Sequence, residues 1–188
     1  MHLMVKKAVM VYADAVTREY GFPTVNLLIT NLYGPGDDFR EQTSHVIPAI
    51  IKKMDQAKRR NDKSIIAWGD GSPSRDFVYV SDAAEGIVRA TMLHNDPTPI
   101  NIGAGKEHTI RDLMEILKQE TGFEGEIVWD TSRPNGQPRR LLDISKAKNS
   151  FGFDPQTSFF DGLRNTYQWY LKHYEEIMAS KPKFTETV

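Results

Sequence analysis

Apolar positions recur at three- and four-residue spacing through residues 5–20, where Ala8, Val9, Tyr12, Val16 and Tyr20 form one helical stripe that Gly21 and Pro23 end. The nearly continuous apolar run at 24–30 predicts a buried parallel strand, and residues 31–36, with Gly34, Pro35 and Gly36, predict the turn that follows it. Helical spacing returns at 45–58 through Val46, Ile50 and Met54, ahead of a solvated connector at 58–63. Short strands are predicted at 64–68 and 77–80, on either side of a Gly- and Pro-containing loop. Ser81 is predicted to cap a helix that carries Ala84, Ile87, Val88 and Met92 on its apolar face and ends near Asn95.

Further along, 100–102 reads as a brief strand. Thr109 and Asp112 have the spacing of a capping pair, opening a helix with Ile110, Leu113, Ile116 and Leu117 that Gly122 closes. Residues 126–129 predict another strand, 131–140 a polar loop, and 159–174 a final amphipathic helix rich in aromatics. Tyr12, Tyr20, Phe159, Phe160, Trp169 and Tyr170 are expected to pack in cores and between helices. Residues 180–188 are expected to form a flexible tail. Strands alternating with helices place the chain in the α/β class, with too few strands for a complete doubly wound sheet.

Composition narrows the function classes. The 188 residues hold 39% hydrophobic and 26% charged side chains, the mixture of an ordinary globular protein. Lys and Arg number 24 against 25 acidic residues, a formal net charge of -1 that argues against nucleic acid or anionic lipid as partners, so a charged ligand needs a local site. No run approaches the ~20 apolar residues of a membrane span, and no signal-peptide block is present, so a cytoplasmic protein is expected. The chain has no cysteine and five scattered histidines, which gives a metal site no support. A Gly-x-Gly-x-x-Gly turn opening a helix after a strand, the usual address of a dinucleotide pyrophosphate, is absent from the sequence.

Four ordered motifs carry chemistry: Asn-Leu-Tyr-Gly-Pro at 31–35, Ser-His-Val-Ile-Pro-Ala at 44–49, Trp-Gly-Asp-Gly-Ser-Pro-Ser-Arg-Asp-Phe-Val-Tyr-Val-Ser-Asp at 68–82, and Arg-Pro-Asn-Gly-Gln-Pro-Arg-Arg at 133–140. With Asn-Ile-Gly-Ala-Gly at 101–105 between the last two, the order resembles the extended short-chain dehydrogenase/reductase (NAD-dependent epimerase/dehydratase) family, and the 44–48 run resembles its GDP-L-fucose synthases. The similarity covers nearly the whole chain but only the carboxyl-terminal half of that family. It implies the end of a Rossmann-type dinucleotide-binding domain at 1–36 and a small α/β substrate-binding region at 37–179.

The resemblance also implies site residues. The family's Tyr-x-x-x-Lys pair sits on one helical face; here Lys6 takes the lysine position, as catalytic and cofactor-binding residue, while His2 stands where the tyrosine would be. His45 matches the family's histidine acid/base for epimerisation next to a 4-keto group, and also borders the cofactor; the opposing cysteine would lie in the other half. Ile29, Thr30, Asn31 and Leu32 are implied to face the nicotinamide, although an Asn before a Gly-Pro turn also commonly satisfies its own backbone. Lys53, Trp68, Arg75 and Asn135 match positions that bind the nucleotide-sugar, with Lys53 and Asn135 departing conservatively from the family's arginine and aspartate. Arg139 and Arg140 are read either as closing over the diphosphate or as a solvated pair.

The implied cofactor is NADP(H) or NAD(H), with its main binding motif outside this sequence. The implied ligand is a nucleotide-sugar, a GDP-sugar favoured, for 3,5-epimerisation and 4-keto reduction. A homodimer and a separate chain carrying the dinucleotide-binding half are the expected partners. The alternatives are a non-catalytic nucleotide-sugar-binding remnant, and a UDP- or dTDP-sugar 4-epimerase, dehydratase or decarboxylase.

Overall fold

The computed structural model describes residues 2–179, with side chains from Met4 onward; the expected tail at 180–188 lies outside the described residues. In chain order the elements are α1 (His2–Tyr20), β1 (Leu27–Ile29), β2 (Asn31–Tyr33), α2 (Val46–Arg60), β3 (Ser64–Trp68), β4 (Ser74–Tyr79), α3 (Val80–Leu93) and β5 (Ile100–Ile102). They continue as β6 (Glu107–Thr109), α4 (Ile110–Thr121), β7 (Glu126–Asp130), β8 (Arg139–Arg140), α5 (Ser145–Phe151), α6 (Phe159–Lys172) and α7 (Tyr174–Ala179). The α/β class expected from the alternating pattern is the class observed.

Three small sheets organise the strands. β1 pairs in parallel with β5, and β3 in parallel with β7. Strand β4 joins four strands into one layer: β2 in parallel along 77–79, β6 antiparallel along 74–76, and β8 in parallel along 74–75. Residues 31–33, read as part of a turn, are therefore a strand. Tyr33 meets Tyr79 in the ladder, and the turn begins only at Gly34. There φ is +147°, and a Cβ would stand 2.5 Å from the Val80 side chain, so glycine is what lets the chain pass.

Because side chains alternate across a strand, β4 serves two cores at once: Phe77 points into one and Val78 into the other. The larger core is built from α2, α4 and α6 on β2, β3 and β4, with Ile51, Met54, Leu113, Leu117, Leu163 and Tyr170 closed to solvent. At its polar heart Asp55 is paired with Arg59 at 2.7 Å and accepts hydrogen bonds from the hydroxyls of Tyr167 and Tyr170, which ties α2 to α6. Burial first, and this carboxylate second, pushes both phenols well above their ordinary value. The smaller core packs α3 and α5 on β5, with Val25, Leu27 and Ile29 of the β1 segment against it.

Two apolar stripes face the other way. Helix α3 starts at Val80, with Tyr79 rather than Ser81 at its cap, and it buries Ala83, Gly86 and Ala90. Ile87, Val88 and Met92, expected on the core face, are exposed. On α1 Val9 is exposed as well, and Tyr12 and Tyr20 on α1 and Phe160 on α6 are exposed too, which corrects the expected packing of these three aromatics. β1 is half-buried rather than buried, with Leu28 exposed, since β5 is its one ladder partner among the described residues.

Candidate functional site

A cavity of about 840 Å³ opens where β1, β2 and the amino end of α2 meet. Lys6 reaches it from α1; Ile29, Thr30, Asn31 and Leu32 line it from β1 and β2; His45 lines it at the start of α2. Six residues scattered over forty positions of sequence thus share one wall, at the carboxyl end of parallel β1, where ligands of open α/β sheets gather. The side chains of Thr30 and Asn31 are already engaged: Thr30 Oγ1 and Asn31 Nδ2 both donate to the carbonyl of Asp76, at 3.0 and 2.8 Å. Asn31 therefore locks β2 to β4 rather than closing a local turn.

His45 holds the N-cap backbone position of α2 in an extended conformation, yet its ring makes no capping hydrogen bond. The imidazole is 77% exposed and its Nδ1 lies 3.5 Å from Oδ1 of Asp37, a carboxylate only 12% exposed. The side chain of His2 lies outside the described residues.

The four residues matched to nucleotide-sugar binding gather around the β3–β4 connection. Trp68, at the end of β3, is 71% exposed, and the Arg133 guanidinium stands 5.5 Å from its ring centroid. Lys53 donates to the carbonyl of Ile66 on the same strand at 2.8 Å. Asn135 Oδ1 accepts from the Asp70 backbone N–H at 2.9 Å, pinning the 131–138 loop onto the turn at 69–73. Gly69 permits this close approach, because any Cβ there would lie 2.1 Å from that oxygen.

Arg75 takes no part in the ion pairs of the described residues; its Nη1 donates to the Ser74 carbonyl at 2.7 Å. Its parallel-ladder partner is Arg140, which also lines the cavity. Burial first, and the charge of Arg140 second, lowers the proton affinity of Arg75. Arg139 and Arg140 divide: Arg139 forms a fork on Glu107 with contacts of 2.8–3.0 Å, whereas Arg140 meets only the Gln137 amide oxygen. Two neighbouring arginines without a carboxylate partner among the described residues make a site suited to a multiply charged anion, and the exposed indole of Trp68, at the other end of the β3–β4 connection, offers a flat face.

Sequence reasoning singles out neither Asp37 nor Arg111. The Arg111 guanidinium lies 4.7 Å from the Trp129 ring centroid and donates to the Asp70 carbonyl, clamping the 69–73 turn from the side opposite Asn135. No spacing rule announces contacts made across 41 positions, and the separation of eight between Asp37 and His45 carries no helical or strand signal by itself. Among the described residues no group of three or more His, Asp or Glu could hold a metal ion, and no helix is long and apolar enough to cross a membrane.

Residues 3–103 match the NAD dependent epimerase/dehydratase family. Among curated relatives, "GDP-L-fucose synthase 1" of Arabidopsis thaliana is 42% identical over 155 residues, 82% of this chain and 48% of the relative. "Probable GDP-L-fucose synthase 1" of Oryza sativa subsp. japonica is 39% identical over 163 residues, 87% of this chain and 48% of the relative. The chain spans about half the length of these relatives. A crystal structure of a GDP-L-fucose synthetase from Naegleria fowleri bound to NADP superposes with a TM-score of 0.80 at 27% identity, over 92% of this chain and 54% of that one.

Proposed function

The chain belongs to the NAD dependent epimerase/dehydratase family, and we propose that it is the nucleotide-sugar-binding half of an epimerase/reductase of GDP-L-fucose synthase type, with a GDP-sugar as its ligand. The observation that carries the reading is the Arg75–Arg140 ladder pair, two arginines without an acidic partner among the described residues, of which Arg140 lines the cavity. A diphosphate supplies the missing charge, Trp68 supplies a face for the base, and Lys53 and Asn135 flank both.

The sugar then extends toward His45. Epimerisation next to a 4-keto group begins when a base takes the proton from the adjacent carbon and the C–H electron pair passes onto the carbonyl oxygen as an enolate; returning a proton to the opposite face inverts the centre. His45 serves as one of the two proton carriers. The resemblance assigns the other to a cysteine, and this chain has none, so on this reading turnover draws on a second half, whether in the same polypeptide or in a partner chain.

The cavity fits the nicotinamide end of NADP(H) or NAD(H): Leu28, Ile29 and Leu32 give its wall an apolar part, and Lys6 offers an ammonium to ribose hydroxyls. When bound, that cofactor supplies the hydride for keto reduction. Homodimerisation through the exposed face of α1 belongs to the same reading, supported by the exposed Val9 and Tyr12.

Calorimetric titration of the purified chain with GDP-fucose, UDP-glucose and NADPH, each alone, tests the proposal. GDP-fucose binding in the absence of NADPH is the expected result. Preference for UDP-glucose would move the reading to a UDP-sugar enzyme, and no binding of any nucleotide would overturn it.

A further inference from the structure

We propose that Asp37 is the positioning residue of His45, fixing the neutral imidazole with its proton on Nδ1 and leaving Nε2, on the other edge of the ring, as the proton-accepting atom. The inference deepens the reading of His45 as an acid/base and rests on it for its catalytic meaning, though the pairing itself is a property of this chain alone.

Three observations carry it. Both residues line the same cavity, Asp37 from the loop after β2 and His45 from the start of α2. Nδ1 of His45 lies 3.5 Å from Oδ1 of Asp37, longer than a hydrogen bond but within reach of a small rotation of an exposed ring that makes no capping hydrogen bond to α2. And the Asp37 carboxylate is oddly placed for a purely structural group: Oδ1 accepts from the Asp38 backbone N–H at 2.8 Å, while Oδ2 is closed to solvent with no hydrogen-bond partner among the described residues. A carboxylate left short of donors at a cavity wall costs stability, and such a cost is commonly retained where the charge serves a neighbour.

The surrounding charges single out Asp37. Asp38, next in the chain, is consumed by Arg40 in a two-pronged pair at 2.6 and 2.8 Å and by the Thr43 hydroxyl. The other charged groups on the cavity wall are cations, Lys6 from α1 and Arg140 from β8. A ring nitrogen whose partner is a carboxylate keeps its proton, and the tautomer of an acid/base histidine is set by that contact.

The test is a long-range ¹H–¹⁵N spectrum of the labelled chain, recorded above the ordinary imidazole range in wild type and in Asp37→Asn. The asparagine keeps an oxygen for the Asp38 N–H but loses the charge. Expected are a neutral His45 protonated on Nδ1 in wild type and a shift toward the Nε2-protonated form in the variant. Asp37→Glu should restore much of the wild-type tautomer, and His94, His108 and His173 should not move.

Wild-type His45 found protonated on Nε2, or a tautomer indifferent to Asp37→Asn, would overturn the inference; the wild-type spectrum decides even if the variant folds poorly. GDP-fucose titration of the same samples separates the two proposals. Lost sugar-nucleotide binding with an intact Asp37–His45 coupling sinks the functional reading alone, and binding without coupling sinks this one alone.

Discussion

Arg75 and Arg140 carry like charges at facing ladder positions, an arrangement that stays unfavourable until an anion sits between them. Replacing either with alanine should weaken GDP-sugar binding by about 10–100-fold, the range for losing a charge-assisted bond to phosphate, without lowering the melting temperature. Calorimetry with the same ligand on both variants checks the first part and thermal unfolding the second. Arg139 behaves oppositely because it is already paired. The hydrogen bonds from Arg139, then that from Ser74 Oγ, draw the Glu107 carboxyl from its ordinary 4.5 down to about 2. A depressed folded pKa means the unfolded chain binds more protons, so this contribution is complete above about pH 4.5 and is lost as pH falls toward 2. Glu107→Gln should therefore flatten the acid arm of a melting-temperature profile in that window and leave ligand binding near neutral pH alone. The motifs made these arginines legible as a group. What divided them was a glutamate more than thirty positions away, placed by the pairing of β6 and β8 with opposite sides of β4, which no local pattern encodes.

The elements that could be read directly are those whose signal is local. Thr109 and Asp112 form the full capping box that their spacing predicts, with Thr109 Oγ1 accepting from the Asp112 N–H at 3.0 Å and the Asp112 carboxylate accepting from the Thr109 N–H at 3.1 Å. Gly122 closes the same helix in the left-handed conformation expected of it. Strands β2, β6 and β8, two or three residues each, escape notice because a run that short has no period and exists only through its pairing with β4. Helix α3 shows a different failure. Its large apolar residues mark one face, but the helix packs through its small residues, with the buried Phe153 ring seated on Gly86. A Cβ at Gly86 would stand 2.8 Å from that ring and 3.3 Å from Ile102. Gly86→Ala is thus a contest between a gain of about 1 kcal/mol in helix propensity and about 1–3 kcal/mol for overpacking. Because Phe153 is buried and has no room to retreat, the variant should unfold at lower urea concentration, where a solvent-facing glycine would be stabilised by the same change.

At the scale of the molecule, the faces that α1, α3 and β1 leave uncovered are informative together. Periodicity reveals that a helix has an apolar face, and it is silent on what covers it; that is why the stripes on α1 and α3 were legible while their exposure was not. Soluble monomers rarely present such stripes in the open, and a strand with one free edge adds a template for pairing. The chain also spans about half the length of its curated relatives, and on the reading proposed above a complementary half would cover part of this surface. Purified alone, the chain should self-associate, with a weight-average mass in sedimentation that climbs with concentration and with salt, as apolar contact requires. Val88→Asp combined with Met92→Lys on α3, both at exposed positions, should lower that association while shifting stability by no more than about 0.5 kcal/mol, the usual span for surface changes. Association that survives this pair but yields to Val9→Asp with Tyr12→Lys would place the contact on α1, the face assigned above to the homodimer. A chain that remains monomeric throughout would mean that neither stripe is sticky enough to need a partner, and would remove the physical ground for a docking half.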